Sequence, residues 1–474
     1  MRVFLVLTIS LLFGQLNLSA QHQDVGEKPD LWRGTKKVVE DSSALINYFQ
    51  KGQFKGHIRA YSSVTQNKGS LTDYFANAVG GGMRYQTASF YHFDAALSGF
   101  FIFNVGSSDL AKPDKETGAL NRYENQLFDM LNRADKSGIE RMEELFIRYS
   151  RKKGFISLGR QLINTPFINL QDGRMRPTGI EGLVSEFKIH EKLRIDAAWI
   201  WDFSPRGTTD WFSVEKSIGL TSMGLNEDGT KGNYLNNLQS DGVANVGLIY
   251  SPTKTQKFQF WDTYIDNMLN TMLFQWDGTS SLNADLKLKP GIQFIYQNAI
   301  RDGGNEDQTK TYVSRDHESF TFGGTIGIQT TKWNYSINYN RITDSGRYVF
   351  PREWGREPFY TFIPRERSEG FGDVHAFVLK AGYTNQEKTF KSLLSVGYVS
   401  LPDVKTVALN KYGLPSYFQA NIDLRKSFSG FLEGFETQLL LSTKIGMGET
   451  YENNRYVINK VDMIHANLIV NYYF

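Results

Sequence analysis

From Leu193 to Phe203 the chain alternates between two kinds of side chain, and this two-residue period is the strongest constraint the sequence carries. Leu193, Ile195, Ala197, Trp199, Trp201 and Phe203 fall on one face, with Arg194, Asp196 and Asp202 on the other. A strand with one apolar and one wet face reads this way. Tyr91, Phe93, Ala95, Leu97, Gly99, Phe101 and Phe103 alternate likewise with His92, Asp94, Ser98 and Asn104. Phe418, Ala420, Ile422 and Leu424 oppose Gln419, Asn421, Asp423 and Arg425, and Ile464, Ala466, Leu468, Val470, Tyr472 and Phe474 oppose His465, Asn467 and Asn471. One such segment fits a half-buried strand of a soluble sheet equally well. Several of about ten residues each, with aromatic-rich apolar faces, point to strands that cross a bilayer in a closed barrel.

The connections give an independent reading. A bacterial barrel with both ends in the periplasm alternates short inner turns with longer outer loops. Short turns are predicted near Phe90, Lys152-Lys153, His190-Glu191, Thr253-Lys254, Ser280–Asn283, Thr331-Lys332, Asn385-Gln386 and Ser429-Gly430. Longer polar stretches lie near Asn67–Tyr74, Gly106–Glu140, Ile163–Thr178, Ser204–Ser240, Arg301–Glu318, Thr343–Gly370, Pro402–Pro415 and Thr450–Val457. With a tight outer connection near Asn267–Asn270, the predicted fold is an all-β transmembrane antiparallel barrel of about eighteen strands, or about sixteen without that connection. Within the loop Gly106–Glu140, Tyr123, Leu127, Met130 and Leu131 stand at helical spacing.

Only the N-terminus has an apolar run. Met1 and Arg2 precede Val3 to Phe13, and Leu18-Ser19-Ala20 has the small-residue pattern of a cleavage site, so residues 1–20 read as a secretory signal. Residues 21–50 are then a periplasmic N-terminal segment, too short for a plug of the TonB-coupled kind, and residues 51–474 the barrel. Mean hydropathy of −0.39 excludes a bundle of membrane helices, which needs several apolar runs of about twenty residues. Cysteine is absent although the signal leads to an oxidising compartment, as suits a chain fixed by a closed ladder. The 34 Phe, 24 Tyr and 8 Trp supply interfacial girdles. The final Phe474 is the aromatic terminus that a barrel offers to its assembly machinery.

Enzymatic signatures are scarce. The seven histidines are scattered, with no His-x-x-x-His pair and no Cys for a zinc site. No Walker-type loop and no Gly-x-Ser-x-Gly elbow occurs. A barrel lipase or protease stays open, because its residues would come from separate strands and leave no local motif, and so does a structural or adhesive barrel. Lys and Arg are mixed with nearly as many Asp and Glu, without the basic stripe that tracks nucleic acid.

Two charged segments stand out. Leu158 to Pro166 leads into Asn169-Leu170-Gln171-Asp172-Gly173-Arg174-Met175-Arg176-Pro177-Thr178-Gly179, with prolines and glycines where a fixed loop bends. Arg352-Glu353-Trp354-Gly355-Arg356-Glu357-Pro358-Phe359-Tyr360 continues to Ile363-Pro364-Arg365-Glu366-Arg367 and Glu369-Gly370-Phe371-Gly372-Asp373. The plain reading of the second is a solvated outer loop whose surface ion pairs contribute little.

These segments resemble the OprD-like outer-membrane porins. Glu40-Asp41-Ser42-Ser43 is similar to the run with which that family enters its first strand. Gly173 to Pro177 is similar to its Ser-Arg-x-x-Pro stretch on constriction loop three, and Glu357-Pro358-Phe359 to its Asp-Glu-Pro-Phe run. The resemblance spans most of the mature chain and implies eighteen strands, inward-folded loops and passive passage of small solutes through the outer membrane of a Gram-negative bacterium. It places Arg174 at the pore eyelet, with Asp373 as acidic partner. Arg176 departs from the family's apolar residue, and the charged stretch around Arg365 departs from its Gly/Ser-rich loop.

The expected constriction is therefore Arg174 and Arg176 with Asp172 and Asp373, above a lumen ladder of Arg194, Arg59, Lys55 and Arg425. Such a passage would select by size and charge, favouring amino acids, peptides or carboxylates. The expected partners are these solutes, outer-membrane lipid and, through Phe474, the barrel-assembly machinery; no cofactor, metal or nucleic acid is expected.

Overall fold

A computed structural model describes residues 41–42, 45–170 and 174–474. The segment read as a signal, most of the predicted periplasmic segment, and Asp172 lie outside these residues. Twenty-two strands form one sheet, four of them two-residue pieces. The other eighteen are β1 Gln53–Gln66, β2 Tyr74–Gln86, β3 Phe93–Ser107, β4 Ile139–Arg151, β5 Gly154–Gln161, β6 Gly179–His190, β7 Leu193–Ser204, β8 Val243–Thr253 and β9 Gln256–Ile265. They continue with β10 Leu269–Gly278, β11 Lys287–Ala299, β12 Glu318–Gln329, β13 Trp333–Ile342, β14 Val374–Thr384, β15 Phe390–Ser400, β16 Tyr417–Ser427, β17 Phe435–Gly446 and β18 Met463–Tyr473. Each pairs antiparallel with its sequence neighbour, and β18 pairs with β1 through a register that sets Arg59 opposite Asn471. The ladder thus closes without an edge.

Alternation explains why these segments are strands. Along β14, Phe377 and Leu379 are 54% and 56% exposed, while Ala376 and Val378 between them are 2% and 1% exposed. The exposed apolar set faces lipid and the other set faces the lumen, where Gln419, Asn421, Asp423 and Arg425 of β16 are buried. No helix among the described residues is long and apolar enough to cross a membrane; the strands cross it. The eight short turns and the tight connection between β9 and β10 fall where the sequence placed them, and Asn267 in that connection takes a positive φ of 59°.

Two local readings change. In β7, Glu181 pairs with Asp202 and Gly182 with Ile200, so Trp201 is an extra, bulged residue. The bulge reverses the alternation beyond it and turns Phe203 into the lumen instead of toward lipid. The expected helix in the loop after β3 is a single 3-10 turn, Glu124–Leu127. Tyr123, Leu127 and Met130 are buried as the stripe suggested, but Leu131 is exposed. The Glu124 carboxylate accepts hydrogen bonds from Ser63 (3.0 Å) and Thr65 (2.6 Å) of β1, which fixes this turn against the inner wall.

Candidate functional site: loops folded into the lumen

Loop L7, residues 343–373, folds into the barrel and contacts its inner wall at several strands. Prolines 351, 358 and 364 set its bends and leave their carbonyls to accept. Gln293 of β11 donates to the Pro358 carbonyl (3.2 Å), and Gln419 and Asn421 of β16 donate to that of Pro364 (2.7 and 2.9 Å). The Tyr360 hydroxyl reaches Asp277, the penultimate residue of β10, at 2.7 Å. Gly291 makes room for that ring, since a Cβ there would lie 2.6 Å from the Tyr360 oxygen. Five residues later Arg365, at φ +84°, donates to Asn467 of β18 (3.0 Å) and to the Tyr61 hydroxyl of β1 (2.9 Å).

Strands β10 and β18 are eight apart in a closed ladder of eighteen, close to opposite walls. Five residues extend at most about 17 Å, so the main chain forms a strap only from β11 at Pro358, past Gly397 of β15 at Ile363, to β16 at Pro364, and the Tyr360 and Arg365 side chains carry its reach to β10 and β18. Its root is held apolarly: Trp354 is fully buried, stacks on Phe203 at 4.1 Å with rings 2° apart, and donates Nε1 to Ser217 (2.8 Å).

The charges of L7 are buried, which corrects the reading of a solvated outer loop. Glu366 accepts from Arg122 of the loop after β3 (2.7 Å) and from Lys444 of β17 (2.8 Å). Burial alone would push this carboxyl up, but Arg122 and Lys444 hold it well below the usual carboxylate range. Glu369 meets Arg352, Lys411 (3.4 Å) and the Tyr412 hydroxyl (2.8 Å). Glu353 accepts from Thr221 N (2.9 Å) and Oγ1 (2.8 Å), and Glu357 from the Ser368 amide. Apolar Phe350, Trp354, Phe359 and Ile363 among the charges were the signal that this loop is not solvated.

Loop L3, residues 162–178, folds inward beside it. Asn169 donates to the Arg356 carbonyl (2.8 Å) and Thr178 to that of Glu353 (2.7 Å), so L3 and L7 are laced together. Arg174, at φ +50°, is buried at 7% exposure, and its carbonyl accepts from Arg59 Nη1. Met175 packs with Tyr61 and Phe100 in a cluster against β1–β4.

The sequence-derived site is partly assembled. Arg174 and Arg59 meet. Arg176 does not join them: it is 2% exposed, wedged between L3 and the loop after β7, with Nη2 on the Thr208 carbonyl (2.6 Å). The hydrogen bond of Thr178 to the Glu353 carbonyl of L7 and the one it accepts from the Arg206 amide hold this return leg against protein rather than toward a passage. Asp373 is not Arg174's partner, because it pairs at 2.7 Å with Arg341, which lies on the lipid-facing side of β13 at the outer rim.

The ladder residues occupy lumen faces, but two rungs are neutralised. Arg425 forks onto Asp423 (2.9 Å), and Arg194 pairs with Asp196 (2.9 Å) and approaches Glu186 (3.9 Å). Arg59 is tied to Asn471 (2.7 Å) as well as to L3. Lys55 shares the face of Arg59 on β1. Arg141, one residue past the predicted outer stretch Gly106–Glu140, is buried on β4, donating to the carbonyls of Pro177 (2.7 Å) and Ser204 (2.9 Å) and pairing with Glu143 (2.8 Å).

A closed eighteen-stranded barrel with loops folded into its lumen is an architecture that outer-membrane porins adopt. Residues 145–357 match the model of the OprD family of outer membrane porins. No curated protein matches the chain. The fold is similar to OccK9 (OpdG) of Pseudomonas aeruginosa, with TM-score 0.69 and 11% identity over 90% of this chain and 99% of that one. It is also similar to OccAB4 of Acinetobacter baumannii, with TM-score 0.67 and 14% identity over 89% and 98%. A third similar structure is Pseudomonas aeruginosa OpdK with vanillate, with TM-score 0.64 and 12% identity over 90% and 99%. Over residues 145–357 the chain carries the sequence pattern of the OprD family of outer membrane porins, and its barrel as a whole has the fold of these solved structures.

Proposed function

We propose that the channel passes small solutes bearing a carboxylate, alone or with an ammonium group, through the gap between L3 and the L7 strap, and that it acts by passive diffusion without chemistry on the solute. The observation that carries this reading is the strap itself, anchored near opposite walls by Tyr360 and Arg365. A chain fixed across the lumen limits size, and its fixed charges act in a narrow space where fields are screened less than at the surface.

The sign of the field follows from the partners. The four glutamates of the strap are each engaged by donors from other elements or from the loop itself. Among the described residues Arg59, by contrast, bonds neutral acceptors, Asn471 and the carbonyls of Arg174 and Met175, rather than a carboxylate. Arginines therefore set the potential, and guanidinium matches carboxylate geometry. The solved structure of OpdK holding vanillate fits the same solute class. Liposome swelling with neutral, cationic, zwitterionic and carboxylate solutes of equal size tests the proposal. Carboxylates and zwitterions should enter several-fold faster than cations, and equal rates for all four would overturn it.

A further inference from the structure

Six residues outside the barrel, the helix α1 Leu45–Gln50, present Leu45, Ile46 and Phe49 at 59%, 61% and 55% exposure. They stand at i, i+1 and i+4, one face of a helix that carries no charged residue. We infer that α1 is a foot seated in the periplasmic leaflet of the outer membrane, beside the barrel wall rather than beneath its lumen.

Its attachment fixes that position. The Tyr85 hydroxyl donates to the Phe49 carbonyl (2.5 Å), and the Ala88 amide to the Tyr48 carbonyl (2.9 Å). The Tyr48 ring meets Phe90 edge-on at 6.1 Å, and Asp41–Ser42 pair in parallel with Ser89–Phe90 in the same turn. Tyr85 alternates with Met83 and Val79 on the lipid-facing side of β2, so the helix hangs on the outside of the periplasmic rim.

The apolar face of α1 is continuous with the membrane-facing wall. Phe54, 72% exposed, packs its ring on Tyr85 at 5.0 Å next to the helix. Above it Phe54, Met83, Leu97, Phe101 and Met142 border a groove of about 540 Å³, which also runs past Gly99. The β2–β3 and β3–β4 ladders are paired along this wall, so an added peptide strand has no edge to join. Hydrocarbon is the occupant that a bilayer-facing wall accepts when it is apolar except for Glu140, which pairs with Phe101 at the end of the groove away from α1, and α1 extends the same surface to the interface, where short amphipathic helices lie.

The natural lack of cysteine makes the test direct. Single cysteines replacing Leu45, Phe49, Leu97 and, in a periplasmic turn, Lys254 would carry a nitroxide label in the full-length porin reconstituted in phosphatidylethanolamine–phosphatidylglycerol vesicles. Labels at 45 and 49 should resemble the one at 97, several-fold more accessible to oxygen than to a water-soluble nickel chelate, with the order reversed at 254. Chelate access at 45 and 49 equal to that at 254 would overturn the inference. So would protection from both reagents, which would mean that protein covers the helix. Heat-modifiable migration of each variant shows that its barrel has formed.

Discussion

Arg59 on β1 holds the main chain of L3 at Arg174 by donating Nη1 to its carbonyl. The same guanidinium donates Nε to Asn471 of β18 (2.7 Å), linking the closing seam of the barrel to the loop that narrows it. Removing the side chain therefore loosens a loop as well as deleting a charge. Arg59→Met should raise single-channel conductance and open-channel noise, reflecting the loss of hydrogen bonds worth about 1.5–3 kcal/mol in all. Arg59→Lys keeps the charge without the planar fork and should preserve ion selectivity while the noise rises. An Arg59→Met trace indistinguishable from wild type would mean that L3 is held without this contact.

Arg176 separates burial from function. Its side chain is covered on all sides and touches Thr208, so Arg176→Met should leave reversal potentials unchanged while altering the temperature at which the barrel loses its compact gel mobility. A selectivity change as large as that from Arg174→Met would show that Arg176 reaches the passage.

Glu366 is the carboxylate on which two cations converge, Arg122 and Lys444. Glu366→Gln leaves both charges buried without their counter-ion, a change that costs about 3–5 kcal/mol when one partner of a buried pair is lost. The heat-modifiability midpoint should fall by many degrees, and protease should cut L7 in the folded barrel. An unchanged midpoint and an intact loop would contradict the clamp.

At the seam, the Phe474 amide donates to the Gly56 carbonyl (3.1 Å), the Phe474 main-chain oxygen accepts from the Gly56 amide (2.7 Å), and the Phe474 ring lies over Gly56, where a Cβ would come within 2.1 Å of it. Gly56→Leu and Phe474→Asp should both lower the amount of barrel inserted in the outer membrane without lowering export across the inner membrane, as expected if the assembly machinery handles this last strand. Wild-type insertion of Phe474→Asp, measured by surface labelling, would count against that role.

The barrel was legible because its signal is repeated. Alternation in β3, β7, β16 and β18 and the spacing of turns place the strands from local pattern alone, since each strand needs only one lipid face. The bulge at Trp201 was hidden, because one inserted residue changes no composition and only its consequence, Phe203 stacked on Trp354, reveals it. The site was half legible. Arg174 follows from its loop, whereas Arg365 depends on β18 and β1, over a hundred residues away in either direction, and no local spacing encodes that contact. Asp373 fails as a partner for the same reason: its counter-ion Arg341 belongs to the neighbouring strand's outer face.

The account's central claim is that a strap of fixed charge narrows the lumen, with the Arg365 side chain as its far anchor on β18 and β1. Planar-bilayer reversal potentials under a salt gradient test this by comparing Arg365→Gln with Arg315→Gln. Arg315 lies in the loop after β11 and is half exposed, with Asp302 at 2.9 Å, so the two variants change net charge equally. The account predicts a clear shift toward cations for Arg365→Gln and almost none for Arg315→Gln, whose charge is screened by solvent. Equal shifts would mean that only overall charge is read, and no strap at Arg365 governs passage.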